Sequence, residues 1–303
     1  MAALLPDNSG RRQWLSIAIA LGLLVLVLGL GRRDRARLLA PPDALKDDAT
    51  SVALQDKREN QPPSSTAVAA GERQAAATTE HLRLYVSTGS YGASQAGTMT
   101  KDLEQALGYV EERTGTRLAR RVSVVFDRRA KACGPDAVAY TNVRTMILYA
   151  CPSIPPRRAV NILAHEFVHQ LAHDRYGAPH HQADLILSEG YATWGAGRYW
   201  LGRYASFHDF VQAQYAGRLL PLATDPRGGS STATLNQLYY QWASYVEWLR
   251  ANYGPAAFDR LYTTGDGRRT GSADYAETVG MTFADTEARW RAWLEQPTTG
   301  EQP

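Results

Sequence analysis

The sequence predicts an α+β fold, in which a small mixed sheet is followed by a helical C-terminal half. Segments that alternate between apolar and polar residues occur between His81 and Ala150, as expected for strands. After Pro155-Pro156 most of the patterning has the 3.6-residue period of helices. The chain has 303 residues, enough for one folded domain of about 200 residues with attached segments.

The N-terminal stretch Trp14 to Gly31 is uncharged and overwhelmingly apolar. As a helix it would extend about 27 Å, which is just enough to cross the core of a bilayer. It follows a basic flank, residues 1–13, whose Arg11-Arg12 pair also resembles a twin-arginine export signal. Because no convincing small-x-small cleavage site follows, residues 14–31 are predicted to be a transmembrane helix or signal anchor rather than a cleaved signal peptide.

The orientation in the membrane has opposing signals. Two arginines precede the span and four follow it closely, at positions 32, 33, 35 and 37, which favours a cytoplasm-facing domain. The signal-like start, the long linker and the presence of two cysteines favour the opposite. We expect a single-pass membrane protein with its folded domain outside the cytoplasm. A cytoplasm-facing domain and export after signal cleavage are the alternatives.

Residues 32–80 are rich in Ala, Pro, Ser, Thr, Gln and mixed charge and contain no aromatic residue. Such a segment cannot bury enough surface to offset the entropy of ordering its backbone, so it is predicted to be a flexible linker.

The folded domain is expected at residues 81–297. His81 to Ser87 and Val122 to Phe126 have strand patterns, and Thr98 to Thr114 has helical spacing. Further strands are predicted at Ala137 to Tyr140 and Thr145 to Ala150, as a hairpin around Thr141-Asn142-Val143. Helices are predicted after Pro156, at Ala183 to Trp200, Ser206 to Ala216, Leu235 to Asn252, Pro255 to Tyr262 and Phe283 to Leu294, the last with a capping box of Thr282 and Asp285.

Residues 165–169 read His-Glu-Phe-Val-His within the helix that follows Pro156. Residues four apart lie on the same face of a helix, so His165 and His169 can direct two imidazoles at one metal ion. Glu166 lies about 100° further round, near enough to reach a metal-bound water without being a ligand. This H-E-x-x-H arrangement is the one by which many hydrolases hold a catalytic zinc.

A second segment, Ser188-Glu189-Gly190-Tyr191-Ala192-Thr193-Trp194, follows on the next predicted helix. Glu189 is the only carboxylate in the interior of that helix, among mostly apolar neighbours. Burying it unpaired would be costly, and ligation of a metal would account for it. Asp184, in the first turn, suits the positive end of the helix dipole.

These paired motifs resemble the gluzincin zinc peptidases, and most closely their peptidase-MA-like members. The resemblance covers about residues 81–294, closely at the metal motifs and diffusely elsewhere. It implies a zincin-like catalytic domain and one Zn²⁺ ion bound by His165, His169 and Glu189. It also implies that substrate pairs in extended form with the strand before the metal helix, here Thr145 to Ala150.

The mechanism implied by the resemblance is hydrolysis of peptide bonds by a zinc-activated water, with Glu166 as general base and then general acid. The oxyanion of the transition state needs a further donor. The family supplies it from a later helix, which the stretch ending in Tyr253-Gly254 resembles. Tyr239 is the best match for the donor and Tyr240 the second. Packing of Tyr239 in the core is the competing interpretation.

Three further histidines lie near the motif. His173 lies two turns beyond His165, about 12 Å along the axis, too far to share a metal whose nitrogen ligands lie at about 2.1 Å. It is expected to interact with the carbonyls at the end of its helix. His180 and His181 follow Pro179 in a predicted solvated loop.

The two cysteines, Cys133 and Cys151, flank the predicted hairpin symmetrically about Asn142. Opposed residues on antiparallel strands are within reach of a disulfide, so a bridge is predicted. Two reduced, buried thiols are the alternative.

The net charge of +3 with scattered basic residues does not favour a nucleic-acid partner. The expected partners are a peptide or protein substrate and the membrane, and the sequence carries no signal for an oligomeric state. The predicted function is a membrane-anchored zinc metallopeptidase. The alternatives are a catalytically silent, membrane-tethered peptide-binding module and a zinc site that only stabilises the fold, both less consistent with three ligands beside an intact Glu166.

Overall fold

The computed structural model describes residues 75–87, 90, 95–127, 136–149, 154–226 and 230–296. The predicted membrane segment, nearly all of the predicted linker, and both cysteines lie outside these residues. Across the described ranges, no helix combines the length and apolar character needed to cross a membrane. The predictions for Trp14 to Gly31 and for a bridge between Cys133 and Cys151 therefore stay predictions.

The described strands form a five-stranded mixed sheet in the order β1-β2-β3-β5-β4. The three central strands are parallel to one another, and the two outer strands pair antiparallel to their neighbours. The strands are β1 (Ala77–Thr78), β2 (Leu82–Val86), β3 (Val122–Asp127), β4 (Asp136–Tyr140) and β5 (Thr145–Tyr149). All except the two-residue β1 were predicted. A strand this short has no detectable alternation.

The β4–β5 hairpin is confirmed, with a single turn of 3-10 helix at Thr141–Val143 between the strands. Tyr140 pairs with Thr145, so the pairing is centred between Asn142 and Val143 rather than on Asn142. This displaces by one residue the symmetry on which the disulfide prediction depends.

The prediction that Thr145 to Ala150 borders the substrate cleft is wrong. β5 lies inside the sheet, because it pairs with β3 on one side and with β4 on the other. Its backbone groups are therefore committed to the sheet. Among the described strands, β4 is the outer one at this end, with one edge that no other described strand covers.

Helices pack on one face of the sheet and form the rest of the domain. The predicted helices are present, with two additional short elements: a helix at Tyr275–Val279, and a 3-10 helix at Ala178–Gln182 where a loop was predicted. They are α1 (Ala96–Thr114), α2 (Pro156–Tyr176), α3 (Leu185–Ala196), α4 (Arg198–Leu201), α5 (Phe207–Tyr215), α6 (Thr232–Thr263), α7 (Tyr275–Val279) and α8 (Phe283–Leu294).

Two glycines interrupt helices at positions that need a positive φ. Gly197 (φ 44°) separates α3 from α4, so the helix predicted at Ala183 to Trp200 is two helices. A Cβ at Gly197 would lie 2.2 Å from the Tyr109 hydroxyl oxygen, and only glycine fits there. Gly254 (φ 78°) precedes Pro255 and breaks α6, as the separate predictions for the two halves of this helix expected.

The core joins the inner face of the sheet to α1, α2, α3 and α6. The side chains of Leu84, Val124 and Met146 point from the sheet into this core, where Leu163 and Phe167 of α2 meet them in the same buried cluster. Helices α2 and α3, which carry the metal motifs, are therefore packed inside the domain.

The capping box of Thr282 and Asp285 is present at the start of α8, as predicted.

Candidate metal centre

α2 carries the two motif histidines on one face. It begins at Pro156, whose missing N–H is no loss in the first turn, and ends before Gly177, which has a positive φ. His165 is completely buried, and its Nε2 atom lies 3.1 Å from Nε2 of His169. The predicted convergence of the two imidazoles is therefore present.

α3 brings Glu189 to the same point. Its Oε2 atom lies 3.2 Å from Nε2 of His165 and 3.4 Å from Nε2 of His169. Asp184 caps the helix by accepting a hydrogen bond from the Ile186 amide at 3.0 Å. The position of Asp184 at the N-terminus agrees with the prediction.

Gly190, next to Glu189, allows α3 to lie close to α6. A Cβ at this position would be 2.6 Å from the carbonyl oxygen of Trp242. The backbone of Gly190 therefore packs directly on α6 and fixes the depth at which α3 presents Glu189 to the histidines.

The spacing of the three atoms fits a tetrahedral metal site. Zinc bonds of about 2.0–2.1 Å at tetrahedral angles separate the ligand atoms by about 3.3–3.4 Å. The observed separations are 3.1, 3.2 and 3.4 Å. His165, His169 and Glu189 are also a buried group whose ligand atoms lie close enough together to hold a metal ion. Two imidazoles and one carboxylate are donors that suit zinc and leave a fourth position for water.

Burial and mutual proximity set the charges of the three groups. Burial lowers the pKa of His165 to about 4, so this imidazole is neutral, the form that binds metals. Burial would also lower the pKa of His169, but the Glu189 carboxylate outweighs it and raises the pKa overall. Burial would raise the pKa of Glu189, whereas its histidine neighbours and Arg268 hold it well below its usual range.

Thr193 orients His165 from α3. Its Oγ1 atom lies 3.3 Å from Nδ1 of His165, and with Nε2 turned to Glu189, Nδ1–H can donate to this hydroxyl. Thr193 is one helical turn after Glu189, so both lie on the same face of α3. The four-residue spacing of Glu189 and Thr193 on one helix is a signal that the sequence alone could have supplied.

Tyr239 of α6 lies beside the site. Its ring is 5.6 Å from that of His165, measured between centroids, and the residue is 1% exposed. Burial and the nearby Glu189 and Glu166 carboxylates all raise its pKa, and among the described residues its hydroxyl makes no hydrogen bond of good geometry. A buried hydroxyl without a partner is costly. The ring of Tyr239 therefore packs in the core, while its hydroxyl can donate a hydrogen bond to another group.

Glu166 is buried on α2, close enough to His169 and to Tyr239 for its charge to raise the pKa of both. Tyr240, the second choice for the donor, points elsewhere. Its hydroxyl donates to the carbonyl oxygen of Trp200 at 3.1 Å, and its ring stacks on Phe210. Between the two tyrosines, the structure brings only Tyr239 to the metal group.

The neighbouring histidines only partly match their predictions. His180 is 4% exposed, not solvated, and its Nδ1 atom is 2.9 Å from the Tyr262 hydroxyl. His181 is partly exposed, with Nε2 3.1 Å from Oδ1 of Asn142. His173 lies in the last turn of α2, as predicted, and its interaction with the carbonyls at the helix end stays a prediction.

One side chain at the site, that of Arg268, was not predicted. Its Nη2 atom donates to Oε1 of Glu189 at 2.6 Å, and its Nη1 atom donates to Oγ of Ser188 at 3.3 Å. Arg268 follows α6 in a glycine-rich loop, and no local pattern in the sequence connects it to α3.

Comparisons with protein-family models and with curated proteins give no match. Among solved structures, the chain is similar to an M1 zinc metallopeptidase from Deinococcus radiodurans, with a TM-score of 0.41 and 21% sequence identity. The match covers 76% of this chain and 52% of that one, so the chain spans about half the length of that structure.

Proposed function

We propose that the protein is a zinc-dependent metallopeptidase. The observation that supports this best is the buried triangle formed by Nε2 of His165, Nε2 of His169 and Oε2 of Glu189, with sides of 3.1–3.4 Å. Glu166 and the hydroxyl of Tyr239 next to this triangle supply a base and a donor. A site that only stabilised the fold would need neither.

Zinc, when bound, lowers the pKa of a coordinated water towards neutrality and polarises a carbonyl group. The rest of the reaction is assigned to side chains of this chain. A carboxylate oxygen of Glu166 accepts the proton of the attacking water and then delivers it to the nitrogen of the departing amine. The bond between the carbonyl carbon and that nitrogen breaks as the proton arrives.

Tyr239 is assigned to the oxyanion that develops on the carbonyl oxygen. Burial keeps its hydroxyl protonated, since the pKa lies well above its ordinary value, so it can donate a hydrogen bond at any physiological pH. A donor aimed at developing charge in a water-poor site stabilises the transition state more than the substrate.

The substrate is proposed to be a peptide segment bound in extended form. β4 is suited to this because one of its edges is not covered by another described strand, and a peptide can add to such an edge through backbone hydrogen bonds. β4 thus takes the place for which β5 was predicted, because β5 is enclosed by two strands.

The membrane attachment is proposed on sequence grounds. The apolar stretch Trp14 to Gly31 and the polar linker after it support a catalytic domain tethered to the membrane. We place that domain outside the cytoplasm, on the signal-like start of the chain.

The proposed function is tested with Glu166→Gln in the full-length protein, loaded with zinc and incubated with a peptide mixture read by mass spectrometry. Glutamine keeps the shape of the side chain but accepts no proton, so peptide cleavage should fall by about 10²–10⁴-fold while the zinc content stays unchanged. Glu112→Gln, at an exposed position of α1, is the matched control and should cleave like the wild type.

Wild-type turnover in the Glu166→Gln protein would remove Glu166 from the mechanism. A wild-type protein that holds zinc and binds peptides but cleaves none would instead establish the silent binding module.

A further inference from the structure

A loop of residues 264–274, here called the return loop, leaves the end of α6 and folds back onto the start of α3. The carboxylate of Asp184 holds it there by accepting hydrogen bonds from the amides of Gly271 at 3.1 Å and Ala273 at 3.2 Å. At Gly265 the contact is so close that a Cβ would lie 2.1 Å from the Asp184 amide nitrogen. The return loop is therefore fixed to the same helix terminus that positions Glu189.

Arg268 lies in the middle of the return loop in a backbone conformation that is uncommon for a non-glycine residue. Its φ is 55°, and its amide donates to the Gln182 carbonyl oxygen at 3.5 Å. For L-residues this left-handed region costs about 1 kcal/mol or more, so surrounding contacts must maintain it. The conformation directs the guanidinium inward, where the side chain is 14% exposed.

The two carboxylate oxygens of Glu189 contact different partners. Oε1 accepts from Nη2 of Arg268 at 2.6 Å, whereas Oε2 lies beside the two imidazole nitrogens at 3.2 and 3.4 Å. Nη1 of Arg268 donates to Oγ of Ser188 at 3.3 Å, so the guanidinium is held at two adjacent residues of α3. A planar guanidinium with two fixed bonds is well suited to hold one oxygen of a carboxylate in place.

We propose that Arg268 is a positioning residue that holds Oε1 of Glu189, so that Glu189 meets the metal through Oε2 alone. The proposal rests on the proposed zinc site and goes beyond it, because it explains how a carboxylate with two equivalent oxygens is limited to one. Partners that orient metal ligands in this way contribute about 10–100-fold to metal affinity.

The charge of Arg268 has the opposite effect on metal binding. A guanidinium near the site repels a dication, and loss of this repulsion alone would tighten binding. Loss of the positioning bond would weaken it. The sign of the change in zinc affinity therefore separates an orienting partner from a cation that merely lies nearby.

The test compares the zinc dissociation constants of full-length wild-type, Arg268→Gln and Arg268→Lys proteins, measured by competition with a chelator. We expect about 10–100-fold weaker binding for Arg268→Gln and an intermediate value for Arg268→Lys, which keeps the charge without the two-point fork. Arg269→Gln, the matched control from the same loop, has a side chain 66% exposed and should bind zinc within about twofold of the wild type.

The absorption spectrum of the Co²⁺-loaded proteins gives a second readout that folding alone would not change. If Glu189 is released to bind through both oxygens, the Arg268→Gln spectrum should shift towards that of a higher coordination number. If circular dichroism shows that Arg268→Gln is misfolded, the zinc dissociation constant and the Co²⁺ absorption spectrum of Arg268→Lys test the proposal instead.

Zinc affinity and cobalt spectrum equal to wild type in Arg268→Gln, or tighter zinc binding, would overturn the proposal and leave the metallopeptidase function intact. A wild-type protein without measurable zinc affinity would overturn both.

Discussion

Replacing Gly190 with alanine should destabilise the protein, because the new methyl group would enter the backbone of α6. Its Cβ would lie 2.6 Å from the carbonyl oxygen of Trp242, 2.9 Å from its carbonyl carbon and 2.9 Å from Cγ2 of Val246. Two of these three atoms are backbone and cannot rotate away. Overpacking of this kind costs about 1–3 kcal/mol, while alanine gains about 1 kcal/mol over glycine in a helix. With backbone atoms in the way, we expect a net loss of about 2 kcal/mol in the free energy of unfolding.

Gly108→Ala is the matched control, since Gly108 is an exposed residue inside α1 and a Cβ there meets no atom within 4 Å. It should gain about 1 kcal/mol from helix propensity alone. Thermal unfolding of the domain should therefore show a Tm lowered by about 4–8 °C for Gly190→Ala and raised by about 2–4 °C for Gly108→Ala. Zinc binding should weaken only in Gly190→Ala, because Glu189 is the adjacent residue. A Gly190→Ala protein as stable as the wild type would refute the close packing of α3 on α6.

Three further outcomes are expected. Thr193→Val removes the acceptor for Nδ1 of His165 and should weaken zinc binding by about 10-fold or more. Thr193→Ser keeps the hydroxyl and should bind zinc like the wild type. Equal zinc dissociation constants for the two variants would exclude the orienting role of Thr193. Tyr239→Phe should lower kcat by about 10²–10³-fold with unchanged zinc content and no loss in Tm, and an unchanged kcat would leave Tyr239 with packing alone. Burial would raise the pKa of Asp174, but hydrogen bonds from Arg144 and from the Ala119 amide lower this pKa overall. The ionised Asp174 therefore stabilises the fold above about pH 4, and this stabilisation is lost as the pH falls through the lowered pKa. Asp174→Asn should therefore be less stable than wild type at pH 7 and lose less on acidification, as urea unfolding across this range would show; parallel pH profiles would contradict this.

The elements that sequence reasoning predicted well are those whose signals are local. Pro156 at the start of α2, the capping box at Thr282 and the four-residue spacing of His165 and His169 each act within one or two turns of a helix. Glu189 could be assigned because a lone carboxylate in an apolar helix is a strong departure from the usual pattern.

The parts that could not be predicted depend on contacts between distant residues. Arg268 is 79 residues from Glu189 along the chain, and its contact arises from the return loop and a positive φ. His180 follows a glycine and a proline, which indicate an exposed loop, yet the Tyr262 hydroxyl 82 residues away gives it a buried partner. Periodicity reports which face of an element is buried and not which distant element covers it.

The wrong prediction that β5 borders the substrate cleft has the same origin. The alternation in residues 137–150 predicted a hairpin correctly, but a hairpin pattern does not state which of its strands lies at the sheet edge. That choice depends on pairing with β3, which precedes the hairpin and joins β5 in parallel.

The proposed metal centre is one zinc ion bound by His165, His169 and Glu189. Anomalous diffraction at the zinc absorption edge, from crystals of the zinc-loaded protein, tests it most directly. We expect one strong peak bonded to Nε2 of both histidines and to Oε2 of Glu189, and no peak in crystals of Glu189→Ala grown with the same zinc. A peak elsewhere, such as between His173 and His181, or a peak that persists unchanged in Glu189→Ala, would contradict it.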